Sequence, residues 1–180
     1  RRDAGLTAPS AAEQVQALAR AKALDVMAST DPQEAEVVVG CDSMLEISGQ
    51  VVGKPADAAQ ARERWRMMSG GTGILHTGHF LVRTADGAIA EGVSSATIRF
   101  GSPSQAEVEA YIASGEPLWC AGAFTIDGLG GAFIEGIDGD PHGVVGISLP
   151  LLRRLLADLE VVWTDLWAPP PAAKPADDAH

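Results

Sequence analysis

Apolar residues recur along the chain at two spacings, and the alternation between them predicts the order of elements. Val37, Val38 and Val39 are three β-branched residues in a row between turn formers, which predicts a strand buried on both faces. It runs into Gly40-Cys41-Asp42-Ser43, a corner of small residues carrying one carboxylate. A buried strand holds a charge poorly, so Asp42 is expected where the strand leaves the sheet, the usual position for a ligand-facing acid in an open α/β fold. Residues 44–47 and 50–52 flank Ser48-Gly49 as a hairpin, and the chain returns to Lys54, which places Asp42 and Lys54 on neighbouring strands.

Helical spacing dominates elsewhere. Ser10 and Glu13 form a capping box that opens a helix with Val15, Leu18, Ala21 and Met27 toward the core, and residues 29–33 read as a turn. Asp57 opens a second helix with Ala61, Trp65 and Met68 inward and Arg62, Arg64 and Arg66 on a solvated face, and residues 69–73 end it. Strands follow at 74–83 and up to 96–100 around an Asp86-Gly87 turn. His76 and His79, three apart, point to opposite faces and make a poor zinc pair. A second capping box, Ser104 with Glu107, opens a helix burying Val108, Tyr111 and Ile112 and stopping at Gly115. Residues 120–126 read as a strand, 127–131 as a Gly-rich hairpin turn, 138–141 as an acidic corner and 144–147 as a short buried strand. Ser148 caps a Leu-rich helix with Pro150 in its first turn, and residues 161–167 suggest a final strand. Residues 1–6 resemble a helix ending at Gly5, and the proline-containing stretch 168–180 reads as a solvated, disordered tail. The whole predicts a single α/β domain over 1–167, with a mixed, twisted sheet flanked by helices.

Bulk properties narrow the functions. With 180 residues and 46% hydrophobic content the chain can bury one sizeable core. A formal net charge of −11 argues against a general nucleic-acid or anionic-membrane surface, though local cations and a metal can still reverse the field inside a cleft. Cys41 and Cys120 make no disulfide framework and suit a reducing cytosol; no apolar run reaches membrane-spanning length.

The acid at Asp42 and the ammonium at Lys54 suit a phosphate-and-metal site, although Asp-Ser and Gly-Lys-Pro are also ordinary turn chemistry. A lysine such as Lys22, beside an apolar helical stripe, usually snorkels to solvent. The run Gly49 to Pro55 has the look of a Walker A loop but is one residue short, with Pro where the magnesium-binding hydroxyl belongs, and a P-loop is rejected.

Read together, Cys41-Asp42-Ser43, Val52-Gly53-Lys54-Pro55-Ala56, Met68-Ser69-Gly70, His76-Thr77-Gly78, Gly115-Glu116-Pro117-Leu118, the run from Cys120 to Gly130, Asp138-Gly139-Asp140 and Val144-Val145-Gly146 resemble the Maf family, septum-formation-inhibitor-like nucleoside triphosphate pyrophosphatases. The matches keep family order from Lys22 to Leu156. The resemblance implies a Maf/inosine-triphosphatase-like fold and hydrolysis of a nucleoside triphosphate to the monophosphate and pyrophosphate. It also implies a divalent metal, Mg²⁺ or alternatively Mn²⁺, and a cytoplasmic homodimer. On that reading Asp42 is general base and metal ligand, Lys54 neutralises phosphate charge, Lys22 binds phosphate, and Ser43 and Asp127 tune recognition of the base.

Departures accompany the matches. The family's N-terminal Ser-x-Ser-Pro-Arg signature and the acidic segment after it have no counterpart, so the chain reads as a fragment, a gapped form or a degenerate paralogue. Cys120 stands where many members have Lys, and His142-Gly143 where many have Ser-Asn. Cys120 and Asp127 point away from the thymidine/uridine-preferring branch. The expected function is therefore a house-cleaning pyrophosphatase on canonical or modified nucleotides. The alternatives are a catalytically weak nucleotide-binding regulator of septum formation, and an unrelated hydrolase with Cys41 as nucleophile.

Overall fold

The structure, a computed structural model, describes residues 9–31 and 35–167. The predicted helix end at 1–6, the tail at 168–180 and part of the turn at 29–33 lie outside the described residues.

Five strands form one open sheet in the order β2-β1-β3-β4-β5. They are β1 (Val37–Ile47), β2 (Gln50–Val52), β3 (Thr72–Arg83), β4 (Ile89–Phe100) and β5 (Ile134–Asp138). The helices are α1 (Ala11–Met27), α2 (Ala58–Met68), α3 (Gln105–Ala113), α4 (Pro141–Val145) and α5 (Leu149–Asp158). The α/β class is as the sequence predicts, but the expected mixed sheet is corrected: every strand pairing among the described residues is antiparallel, since neighbouring strands run back on one another. The Ser48-Gly49 hairpin is present, both residues having positive φ, with Ile47 opposite Gln50.

The central strand differs from expectation. β1 runs without a corner through residues 40–43, so Asp42 sits in mid-strand opposite Gly78 of β3. It is not buried on both faces either: Val38 is buried and Val39 is 39% exposed. The reason is topological. β2 pairs only with residues 45–47, so along residues 37–44 the side of β1 away from β3 meets no strand among the described residues. That open edge lets a carboxylate stay hydrated in the middle of a strand.

The capping box of α1 forms as predicted, but its buried stripe is Ala11, Val15, Ala19 and Ala23, while Leu18 is 40% exposed and Ala21 is also exposed. Small residues at i, i+4 spacing let the helix lie close against the sheet. A Cβ at Gly40 would stand 2.8 Å from the Ala23 Cβ, and one at Gly78 would stand 2.5 Å from the Val15 carbonyl oxygen. Ala19, Ala23, Val38, Phe80 and Val82 make the core under α1. Leu81, next to Phe80 and so on the opposite face, packs with Leu152, Leu155 and Leu156 of α5. The largest core, beneath α2 and α3, centres on Trp65, whose ring meets Phe100, Tyr111 and Phe133 edge-to-face at 5.6–6.2 Å.

Four predicted pieces take other forms. Residues 120–126 hold the 3₁₀ turn Ala121–Ala123 rather than a strand, because Gly122 (φ 72°) and Ala123 (φ 64°) are left-handed, outside the extended region of a regular strand. The expected hairpin at 127–131 becomes the start of the 3₁₀ helix Leu129–Phe133, whose first amides Leu129 N and Gly130 N donate to the Glu116 carboxylate at 3.0 and 2.9 Å. The first half of the expected strand at 144–147 is the end of α4, started by Asp140 as N-cap and Pro141, and Gly146 turns the chain after it. Residues 161–167 hold the 3₁₀ helix Trp163–Leu166 in place of a strand.

Candidate active site

A cleft of about 400 Å³ lies along the open edge of β1, lined by Lys22, Asp42, Lys54, Trp119 and Gly146 among others. α1 brings Lys22 over β1, where its ammonium pairs with Asp42 Oδ1 and donates to the Cys41 carbonyl at 3.3 Å. The sequence-predicted juxtaposition is thus corrected in one respect. Asp42 and Lys54 face one cleft, but Lys54 stands on the loop beyond β2 rather than on a strand, and the partner on Asp42 is Lys22. The Lys54 ammonium lies 4.2 Å from the centroid of the Trp119 indole, a cation–π contact with a ring that is 76% exposed.

The Lys54 loop is held from two sides. Gly122 N donates to the Gly53 carbonyl at 3.0 Å, which is where the left-handed turn at 122–123 acts on the site. Arg64, expected on a solvated face, is instead 7% exposed. Its guanidinium donates to the Gly53 carbonyl, to the Lys54 carbonyl at 3.4 Å and to Gln60 Oε1 at 2.8 Å, while Gln60 Oε1 also takes the Ala56 N–H at 2.9 Å. Arg62 and Arg66 pair with Glu109 and Glu63 at the surface, as a solvated face predicts. A shared i, i+2 spacing conceals this difference: on a helix those three arginines fan over a wide arc, and only Arg64 turns inward.

A second lobe, about 230 Å³, shares Ser43, Trp119 and Ala121 with the first and adds Cys120, Thr125 and Val144. Ser43 Oγ lies 2.7 Å from Thr77 Oγ1, which donates to the Gly143 carbonyl at 2.8 Å. Asp127 is exposed and does not line the lobe; it reaches it through the hydroxyl of Thr125, which donates to Asp127 Oδ1.

Comparison with known proteins is specific. A family model described as Maf-like protein matches residues 2–159. The chain belongs to the Maf family. It is 53% identical over 164 residues to the nucleoside triphosphate pyrophosphatase of Streptomyces coelicolor, covering 91% of this chain and 79% of that one. It is 54% identical over 153 residues to the Salinispora tropica protein of the same name, covering 84% and 68%. A third protein so named, from Saccharopolyspora erythraea, is 51% identical over 174 residues, covering 94% and 82%.

In this Maf-family cleft the chemistry of the donors limits what a metal could use. Among the described residues no three His, Cys, Asp or Glu side chains group as a metal site, and Asp42 is the one carboxylate lining the cleft. That set does not suit an ion held by protein alone. It fits Mg²⁺ bound through one carboxylate, several waters and substrate phosphates.

Cys41 is a poor nucleophile. Burial, with Asp42 beside it, pushes its thiol up to about 11 against the pull of Lys22. His79, its register partner on β3, has both ring nitrogens engaged: Nε2 accepts the Ser148 N–H at 2.8 Å and Nδ1 donates to the Thr77 carbonyl at 3.0 Å. His76 is elsewhere, against Ser95 at 2.8 Å and Glu46 at 3.4 Å. No helix among the described residues is long and apolar enough to cross a membrane.

Proposed function

We propose that this chain hydrolyses nucleoside triphosphates to the monophosphate and pyrophosphate. The observation that carries the reading is the cleft on the β1 edge in which Asp42 lies with Lys22 and Lys54, in a chain about half identical to relatives named for that activity. The triphosphate lies along the lobe holding the two lysines, and the base enters the lobe lined by Ser43 and Thr125, with Asp127 behind Thr125. Lys22 leaves Asp42 for a phosphate oxygen, which frees the carboxylate. Asp42 then takes a proton from a water as that water's oxygen bonds to the α-phosphorus. The bond from the α-phosphorus to the bridging oxygen breaks, its electron pair leaving with pyrophosphate. Lys54, released from Trp119 or still resting on it, balances charge on the phosphates. When bound through Asp42 and the phosphates, Mg²⁺ (or Mn²⁺) supplies further charge neutralisation at the leaving group. The working form is a cytoplasmic homodimer that clears canonical or modified nucleotides.

Pyrophosphate release from a panel of nucleoside triphosphates with Mg²⁺ tests this, using the chain and its Asp42→Asn variant. The expected result is metal-dependent release that falls about 10²–10⁴-fold in the variant. Undiminished release by Asp42→Asn would remove Asp42 as the base. Tight nucleotide binding without release from any nucleotide would favour the regulator of septum formation.

A further inference from the structure

The second lobe has a hydrogen-bond polarity that follows from its neighbours. The Gly143 carbonyl can only accept, so the Thr77 hydroxyl gives it its one hydrogen, at 2.8 Å. Thr77 Oγ1 therefore has no hydrogen left for Ser43, and in the 2.7 Å contact between the two hydroxyls Ser43 is the donor. Thr77 is 1% exposed, so no water can exchange these roles. Thr125 in turn gives its hydrogen to the Asp127 carboxylate. The Cys120 thiol donates to the Glu116 carbonyl at 3.5 Å, and burial, reinforced by Glu116 and Asp127, pushes the thiol up so that the hydrogen stays on sulfur. The two hydroxyls and the thiol that line the lobe thus have their hydrogens engaged within the protein, no basic side chain lines it, and the indole of Trp119 brings its one side-chain N–H. What Ser43, Thr125 and Cys120 offer a ligand is lone pairs.

We infer that this lobe selects a nucleobase edge that presents N–H donors, and that Thr77, which lines neither lobe, sets this polarity through Ser43. The inference rests on the pyrophosphatase reading for what occupies the lobe. Set against Ser43 and Thr125, a carbonyl or bare ring-nitrogen edge would face lone pairs and lose water without replacement; an exocyclic amine would find acceptors. Thr77 is a positioning residue: it holds the orientation of a hydroxyl that the base meets.

The test uses nucleotide pairs that differ by one amine. These are ATP with purine riboside triphosphate, GTP with inosine triphosphate, and CTP with pyrimidin-2-one riboside triphosphate. Both kcat/KM and dissociation constants are measured. In the pair whose parent is preferred, loss of the amine is expected to lower both kcat/KM and affinity about 10–100-fold. Thr77→Val frees the Ser43 hydroxyl to rotate and donate, and is expected to shrink that ratio to about threefold or less, while Thr77→Ser restores it. A purely structural role for Thr77 would lower both members of a pair alike and leave the ratio intact. Ser43→Ala, which leaves the buried Thr77–Gly143 bond in place, should shrink the ratio too and serves if Thr77→Val does not fold. Equal constants for both members of every pair overturn the polarity, and an unchanged ratio in folded Thr77→Val overturns the role of Thr77. Absence of turnover with all six nucleotides would defeat the pyrophosphatase reading, while the ratio of dissociation constants would still decide the polarity.

Discussion

Arg64 carries a charge into a position where only 7% of it is exposed, and the carbonyls of Gly53 and Lys54 are what it meets there. Burial lowers its proton affinity, yet the guanidinium remains the one group that reaches both carbonyls and Gln60 from a single planar fork. Arg64→Ala should remove the charged donor that ties α2 to the Gly53 and Lys54 carbonyls and cost about 1–3 kcal/mol, read as a lower urea midpoint. Because the same carbonyls frame Lys54, the variant should raise KM for nucleotide more than it lowers kcat. Arg64→Lys should recover little of either, since an ammonium cannot span both contacts. Asp42, Lys54 and Ser43 were legible in the sequence, as an acid, a cation and a hydroxyl in turn-like surroundings and as matches to the Maf pattern. Arg64 was not, because its role depends on which way α2 faces. Trp119, too, gives no local signal: its ring matters only because the fold brings it to Lys54.

At the scale of elements, α1 shows how a hydrophobic pattern misleads. Leu18 outranks Ala19 on any hydropathy scale, yet Ala19 and Ala23 are buried and Leu18 is 40% exposed. The sheet beneath offers Gly40 and Gly78, and at Gly40 the alanines Ala19 and Ala23 let helix and strand backbones come that close. Gly40→Ala should therefore push α1 outward at a cost of about 1–3 kcal/mol in chemical denaturation. It should also draw Lys22 away from Asp42, so that turnover falls even where the protein remains folded. Both capping boxes, by contrast, were fully readable, since each is satisfied within four residues. The predicted strand at 144–147 failed for the opposite reason. Two valines signal a strand, but Asp140 and Pro141 upstream had already started a helix, and Gly146 (φ 135°) stops it.

Over the whole molecule, His79 ties the centre of the sheet to the start of α5 and does so uncharged. Its burial holds the imidazole below its usual value of 6.5, with Thr77 and Asp140 opposing that shift. The unfolded chain therefore takes up this proton first as pH falls, so the contribution to stability is complete above about 6.5 and is lost as pH drops through the lowered folded value. Glu116 and Asp140 extend the loss to more acidic pH: burial raises each, but hydrogen bonds from the Gly130 and Leu129 amides to the first, and from His142 to the second, hold both below the usual carboxylate value. The urea midpoint should fall between about pH 7 and pH 5, and His79→Gln, which keeps a carbonyl acceptor for Ser148 N–H, should flatten that slope. By itself the sequence determined the α/β class, the starts of α1, α2, α3 and α5, the hairpin at Ser48-Gly49 and the acid and cations of the cleft, because these rest on interactions among near neighbours and on residue chemistry. Tertiary structure alone decided that Asp42 stands in mid-strand on an open edge, that Lys22 rather than Lys54 sits on it, that Arg64 turns inward, and that Ser43 presents lone pairs to the second lobe. Each of these depends on groups brought together across the sheet or from separate elements, and neither hydropathy nor spacing along the chain contains that distance.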